Sequence, residues 1–148
     1  MSEDVEYTIV ITGFQEQFHR IRNLVHFIAL QQGVDEQEAD IIERAVAEAC
    51  HNALFHEPAD PGDPSFELEM HLSDSAIKSV VRNRGAAFDF DDVEPFSVDQ
   101  DFMAYSEGGL GIPMMKRLMD EVYYERKPEE LNVVTLIKYI NDQKKEGD

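Results

Sequence analysis

The sequence has one cysteine, no tryptophan, and 13 lysines and arginines against 31 aspartates and glutamates in 148 residues. With no second cysteine, Cys50 cannot form an internal disulfide, which fits a reducing compartment. Set among Ala47, Ala49 and Ala53 in a helical pattern, it reads as a small buried side chain rather than a reactive thiol. The shortage of basic residues leaves a formal net charge of -18. That argues against a nucleic-acid interface, because neutralising phosphates needs clustered Lys and Arg. No apolar run approaches the length of a membrane span, and Met1-Ser2-Glu3-Asp4 is acidic where a signal peptide would be basic. The expectation is a cytoplasmic protein with no membrane association. Internal repeats and low-complexity stretches are also lacking, and the length suits one domain, 1–148, around one apolar core. The acidic excess suits a partner with a basic surface, although solubility alone would explain it. Any polyphosphate ligand would need local donors or a metal ion to offset the repulsion.

What is present divides into clear elements. Tyr7 to Ile11 is a β-branched run that predicts a strand ended by Thr12-Gly13. From Phe14 to Gln32, apolar Phe14, Phe18, Ile21, Leu24, Val25 and Ile28 recur at helical steps, with Gly33 as a stop. Asp35 followed by Glu38 resembles an N-terminal capping arrangement and opens a second helix running to about His56. Pro58, Pro61, Gly62 and Pro64 mark a loop. Phe66 to Leu72 alternates apolar with polar residues, Ser73-Asp74-Ser75 turns the chain, and Ala76 to Val81 completes a hairpin. An acidic stretch from Asp89 to Glu107 has no periodicity, and a loop of that length suits a lid or binding segment. Gly108 to Asp120 reads as a helix, Val122 to Tyr124 and Val133 to Ile140 as strands, and 141–148 as a charged tail. This order predicts an α/β two-layer sandwich, its sheet mixed and mostly antiparallel, with the helices on one face.

Three clusters carry chemistry. Glu48, Asn52 and His56 are spaced four apart and share one helix face. Such a stripe is usually a solvated face, but Asn is a mediocre helix former that gains nothing on an exposed surface. An Asn one turn from a Glu offers a hard cation a neutral oxygen ligand, beside a carboxylate able to take a proton. Gly108-Gly109-Leu110-Gly111 precedes an apolar helical run, where free N–H groups and the helix dipole favour phosphate. Asn83 and Gly85 close the run Val80-Val81-Arg82-Asn83-Arg84-Gly85, placing Asn83 at a strand mouth. By itself, each of the last two clusters is no more than a loop end or a turn. A metal hydrolase finds no support, since His51 and His56 are five apart and point to different faces.

In order and spacing, the three clusters resemble the N, G1 and G2 boxes of the GHKL (histidine-kinase-like) ATPase superfamily. Ala47-Glu48-Ala49-Cys50-His51-Asn52-Ala53, Phe88-Asp89-Phe90, Gly109-Leu110-Gly111 and Leu118-Met119-Asp120-Glu121-Val122 resemble its anti-sigma-factor serine kinase branch, over about residues 7–140. The resemblance implies the Bergerat fold, with ATP and Mg2+ as cofactors and the ATP lid at about 89–108. It implies Glu48 as general base, Asn52 as the Mg2+ ligand, His56 at the edge of the nucleotide site and Asn83 at the adenine amino group. Gly85 and Ala87 would border the base, and Gly108, Gly109, Leu110 and Gly111 would cradle phosphates. The implied activity is that of an anti-sigma factor and serine/threonine protein kinase. Its partners would be a sigma factor and a STAS-type anti-anti-sigma protein, with the kinase itself a homodimer. The alternative is a non-catalytic partner-switch protein of the same fold with weakened or lost ATP binding.

The departures from the family pattern fall on the adenine side: Asn83 replaces Asp, Ala87 replaces the second G1 glycine, and Val133 stands where a late-strand Thr is usual, with Thr135 on the same strand face. An Asn83→Asp change is expected on this reading to tighten ATP binding, by restoring a charge-assisted hydrogen bond.

Overall fold

In the computed structural model, which describes residues 6–88 and 111–140, the N-terminal β-branched run pairs along its whole length. Strand β1 (Tyr7–Phe14) lies antiparallel to β2 (Ser65–Leu72), from Tyr7 opposite Leu72 to Phe14 opposite Ser65. Thr12-Gly13 therefore does not end the strand. Gly13 serves a close approach instead: a Cβ there would lie 2.3 Å from the Phe66 ring and 2.8 Å from Ile21. A short 3₁₀ turn (Gln15–Gln17) leads into helix α1 (Phe18–Gln31), and Gly33, with φ of 100°, makes the left-handed exit that favours glycine. Helix α2 (Glu36–Phe55) starts at the predicted cap, where the Asp35 carboxylate accepts from the Glu38 N–H at 2.8 Å.

Strand β3 (Ala76–Arg84) runs three residues beyond its predicted end, so Asn83 lies inside the ladder, opposite Asn132. Helix α3 (Gly111–Leu118) carries Pro113 in its first turn, where a missing N–H costs nothing. Strands β4 (Glu121–Lys127) and β5 (Leu131–Tyr139) complete a five-stranded sheet of order β1-β2-β3-β5-β4. Among the described residues every pairing in it is antiparallel, in keeping with the mostly antiparallel sheet expected.

Helix α2 lies at the centre of the second layer, touching α1, α3 and strands β2, β3 and β5. Its inward side is rich in alanine: Ala39, Ala45, Ala49 and Ala53 are all buried, which lets the helix sit close to Leu68, Met70, Val81 and Leu136 of the sheet. Cys50 belongs to the same face, and burial pushes its thiol up, which fits the inert reading. Among the described residues, no helix is long and apolar enough to cross a membrane.

Candidate functional site

Glu48 and Asn52 lie half-buried at the edge of α2, away from the side facing α1, and His56 is the C-cap residue. Among the described residues, the Asn52 side-chain amide makes no hydrogen bond, so its carbonyl oxygen is available to a cation. Gly111 opens α3. Gly108, Gly109 and Leu110, with the expected lid, lie outside the described residues, as does the charged tail.

Asn83 is only 5% exposed, and its amide nitrogen donates to the Ala53 carbonyl at 3.3 Å and the Arg84 carbonyl at 3.4 Å. Ala53 is in the last turn of α2, where four carbonyls have no partner within the helix. Asn83 thus caps α2 from the neighbouring strand. Its Oδ1 receives no hydrogen bond among the described residues, leaving an acceptor for an exocyclic amine. An Asp at this position would set a carboxylate against two carbonyls and the negative end of the helix dipole, so Asn83→Asp is expected to cost fold stability.

Beyond β3 the chain leaves the ladder, yet nearly every polar group of its backbone is held. The Gly85 N–H donates to the Glu130 carbonyl and the Ala86 N–H to the Glu57 carbonyl, both at 3.0 Å. His56 Nε2 donates to the Ala87 carbonyl at 3.2 Å. Arg126 donates to the Gly85 carbonyl at 2.6 Å, Asn132 to the Ala86 carbonyl at 2.9 Å, and the Phe88 N–H to the Tyr124 hydroxyl at 3.1 Å. Gly85 is required by this packing itself, because a Cβ there would lie 2.7 Å from the Glu57 carbonyl oxygen. The Phe88 ring rests between those of His56 and Tyr124, at centroid distances of 5.3 and 5.5 Å.

A match to the histidine kinase-like ATPase domain extends over residues 12–138. The chain belongs to this family. Its relatives place it in the branch of the anti-sigma-factor serine kinases. It is 28% identical to the serine-protein kinase RsbW of Bacillus velezensis, over 97% of this chain and 92% of that one. It is 32% identical to RsbW of Bacillus licheniformis, over 71% and 68%, and 30% identical to RsbW of Listeria innocua, over 80% and 77%. In fold it is similar to a chain in the crystal structure of the SiaB–SiaC complex from Pseudomonas aeruginosa, with a TM-score of 0.59, 14% identity and 89% of each chain covered.

Within this family frame, the described residues bring Asn83, Gly85 and Ala87 against the end of the helix that carries Glu48, Asn52 and His56. Val133 and Thr135 do not join them. They pair with Arg82 and Val80 and face the side of the sheet away from the helices. The inward position at this end of β5 is Asn132, opposite Asn83 and fully buried. Sequence reasoning missed Asn132, Tyr124 and Arg126. A polar Asn directly before the β-branched Val133-Val134-Thr135 run was the one available signal. An open recess of about 620 Å³ at the end of β3, lined by Asp60, Phe66, Glu67, Arg82, Asn83 and Arg84 among others, takes in Asn83 but neither Glu48 nor Asn52.

Proposed function

We propose that this chain binds Mg-ATP, holds a sigma factor, and phosphorylates a serine of a STAS-type anti-anti-sigma partner. One contact carries the reading. The hydrogen bond from His56 to the Ala87 carbonyl joins the helix edge bearing Glu48 and Asn52 to the strand end bearing Asn83. On this reading the metal ligand, base and adenine acceptor would come from two elements that this contact ties together. The donor set fits the group it would hold: the Asn52 amide is free of bonds among the described residues, and Asn83 turns its acceptor away from its own anchors. ATP with Mg2+ supplies the transferable phosphoryl group and neutralises its charge. Asn52 would hold the metal, and Asn83 Oδ1 would accept from the adenine amino group. Glu48 would take the proton of the attacking serine hydroxyl, and the first turn of α3, opened by Gly111, would meet phosphate with free N–H groups. The net charge of -18 suits a basic partner surface.

Thermal unfolding with and without Mg-ATP tests the binding. A ligand at a hundred times its dissociation constant stabilises by roughly 2.7 kcal/mol. Labelled ATP with candidate antagonist proteins then tests transfer. Glu48→Ala is expected to keep the thermal shift and lose transfer by about a hundredfold or more. Full transfer by that variant would remove Glu48 as the base. A second reading, a partner switch without ATP, is favoured by the use of Asn83 as a helix cap. No thermal shift at millimolar Mg-ATP would select it.

A further inference from the structure

Among the described residues, three non-glycine residues have left-handed backbone, Glu57, Glu129 and Glu130, with φ of 43°, 65° and 61°. All three spend their carbonyls on one short stretch. Glu57 accepts from the Ala86 N–H, Glu130 from the Gly85 N–H, and Glu129 from the Arg84 guanidinium at 2.7 Å. Left-handed conformations cost an L-residue free energy and persist where a turn or the surroundings fix them; Glu129 and Glu130 lie in the short turn between β4 and β5. The opposite side of the same stretch is held by a polar network centred on the buried Asn132 and reaching the surface at Arg126. Asn132, with 0% exposure, donates to the Ala86 carbonyl, while its Oδ1 accepts from the Tyr124 hydroxyl at 2.6 Å and from Arg126 at 3.0 Å. Tyr124 in turn accepts from Phe88, and Arg126 donates to Gly85. A role in stability alone would be met by apolar packing, as it is in the middle of the sheet. A saturated polar network instead fixes one geometry for a backbone that has no ladder to follow.

We propose that Asn132, Tyr124 and Arg126 are positioning residues for the base subsite of the nucleotide pocket. They hold residues 85–88 so that the acceptor on Asn83 and the wall beside it meet the base without rearrangement. This rests on the nucleotide reading above. None of the three needs to touch the ligand. Their effect passes through the backbone they hold, and it acts on the base rather than on the phosphates or the metal.

Tyr124→Phe is the sharpest variant, because it keeps the ring beside Phe88 and removes only the hydroxyl. The intact chain and this variant are titrated with Mg-ATP and with magnesium inorganic triphosphate, which has no base. Expected is a Kd for ATP weaker by about tenfold, the scale of one net hydrogen bond, with the Kd for triphosphate unchanged. Arg126→Gln is expected to change the same ratio in the same direction. Leu68→Val loosens the core elsewhere and is expected to lower the melting temperature without moving the ratio. Equal losses for both ligands, an unchanged ATP affinity in Tyr124→Phe, or a ratio moved as far by Leu68→Val would each overturn the positioning role while leaving the nucleotide reading standing. A wild-type chain that binds neither ligand would overturn both.

Discussion

Ser79 and Asn83 point from the same face of β3 toward α2, four residues apart, and both are buried, but they are treated differently. Ser79, in mid-strand between Met70 and Leu136 on the neighbouring strands, has no hydrogen-bond partner for its hydroxyl among the described residues. Asn83, at the strand end, has its amide nitrogen shared between two carbonyls, and its neighbour Asn132 has both sides of its amide engaged. The middle of the sheet is held by apolar contact and tolerates a wasted hydroxyl. Its end is held by directed bonds and wastes little. A site that must present an acceptor at one place needs the second kind of construction, and this end of the sheet has it.

The contrast should break first at Asn132. Asn132→Leu takes the partner from the half-buried Ala86 carbonyl and Tyr124 hydroxyl and puts an apolar side chain in a fully buried polar position, and is expected to cost about 3 kcal/mol. Urea unfolding reads this directly, and a midpoint equal to wild type would erase the distinction between the two ends of β3. Asn83→Asp comes next, at about 2 kcal/mol, because a carboxylate replaces the donor facing Ala53 and Arg84. Facing carbonyls while buried, the new carboxyl has a folded pKa above its unfolded value of about 4. The variant's deficit is therefore absent at lower pH and grows as pH rises through the folded pKa. A deficit that shrank with rising pH would mean the side chain had found a donor. Ser79→Ala has the opposite sign. With no bond to lose, it is expected to be neutral or to stabilise by up to about 1 kcal/mol.

These differences mark how much could be read in advance. Periodicity placed both main helices, the β2–β3 hairpin and the sheet-with-helices architecture, because burial on one face leaves its trace every two or every 3.6 residues. The cap at Asp35 was legible for the same reason, since donor and acceptor are three residues apart. Strand ends were not. Gly13 looked like a stop because glycine usually is one, whereas here it makes room for the Phe66 ring. Glu48, Asn52 and Gly85 were legible as motif residues. The anchoring of Asn83, the burial of Asn132 and the left-handed turn at Glu129–Glu130 all depend on residues 30 to 50 positions away in sequence, and no local pattern encodes them. Val133 and Thr135 do share a strand face, but Asn132, one residue earlier, is the one that faces the helices, and in a strand one residue is the difference between the two faces.

A polar cluster on the outer surface gives the smallest expected effect and the cleanest contrast with the buried one. His26 on α1 sits 3.0 Å from Glu43, 3.1 Å from Glu36 and 3.4 Å from Asp40, all around the start of α2, with Arg22 also on Glu43 at 2.9 Å. Burial opposes charge on the imidazole, but Glu36 and Glu43 outweigh it and raise its pKa above the usual 6.5. A raised folded pKa means stability that is fully present below pH 6.5 and lost as pH rises through the folded value. Because the cluster is open to solvent and to salt, the whole effect is expected to be about 0.5 kcal/mol. Unfolding free energies at intervals between about pH 6 and 8 should fall slightly with pH in wild type and stay flat in His26→Gln, and added salt should flatten wild type as well. Salt should leave the deficit of Asn132→Leu untouched, since the amide removed is buried and carries no charge. If the deficit of Asn132→Leu also fades in salt, the segment beyond β3 is solvated like the helix surface, and the two regions are not built differently after all.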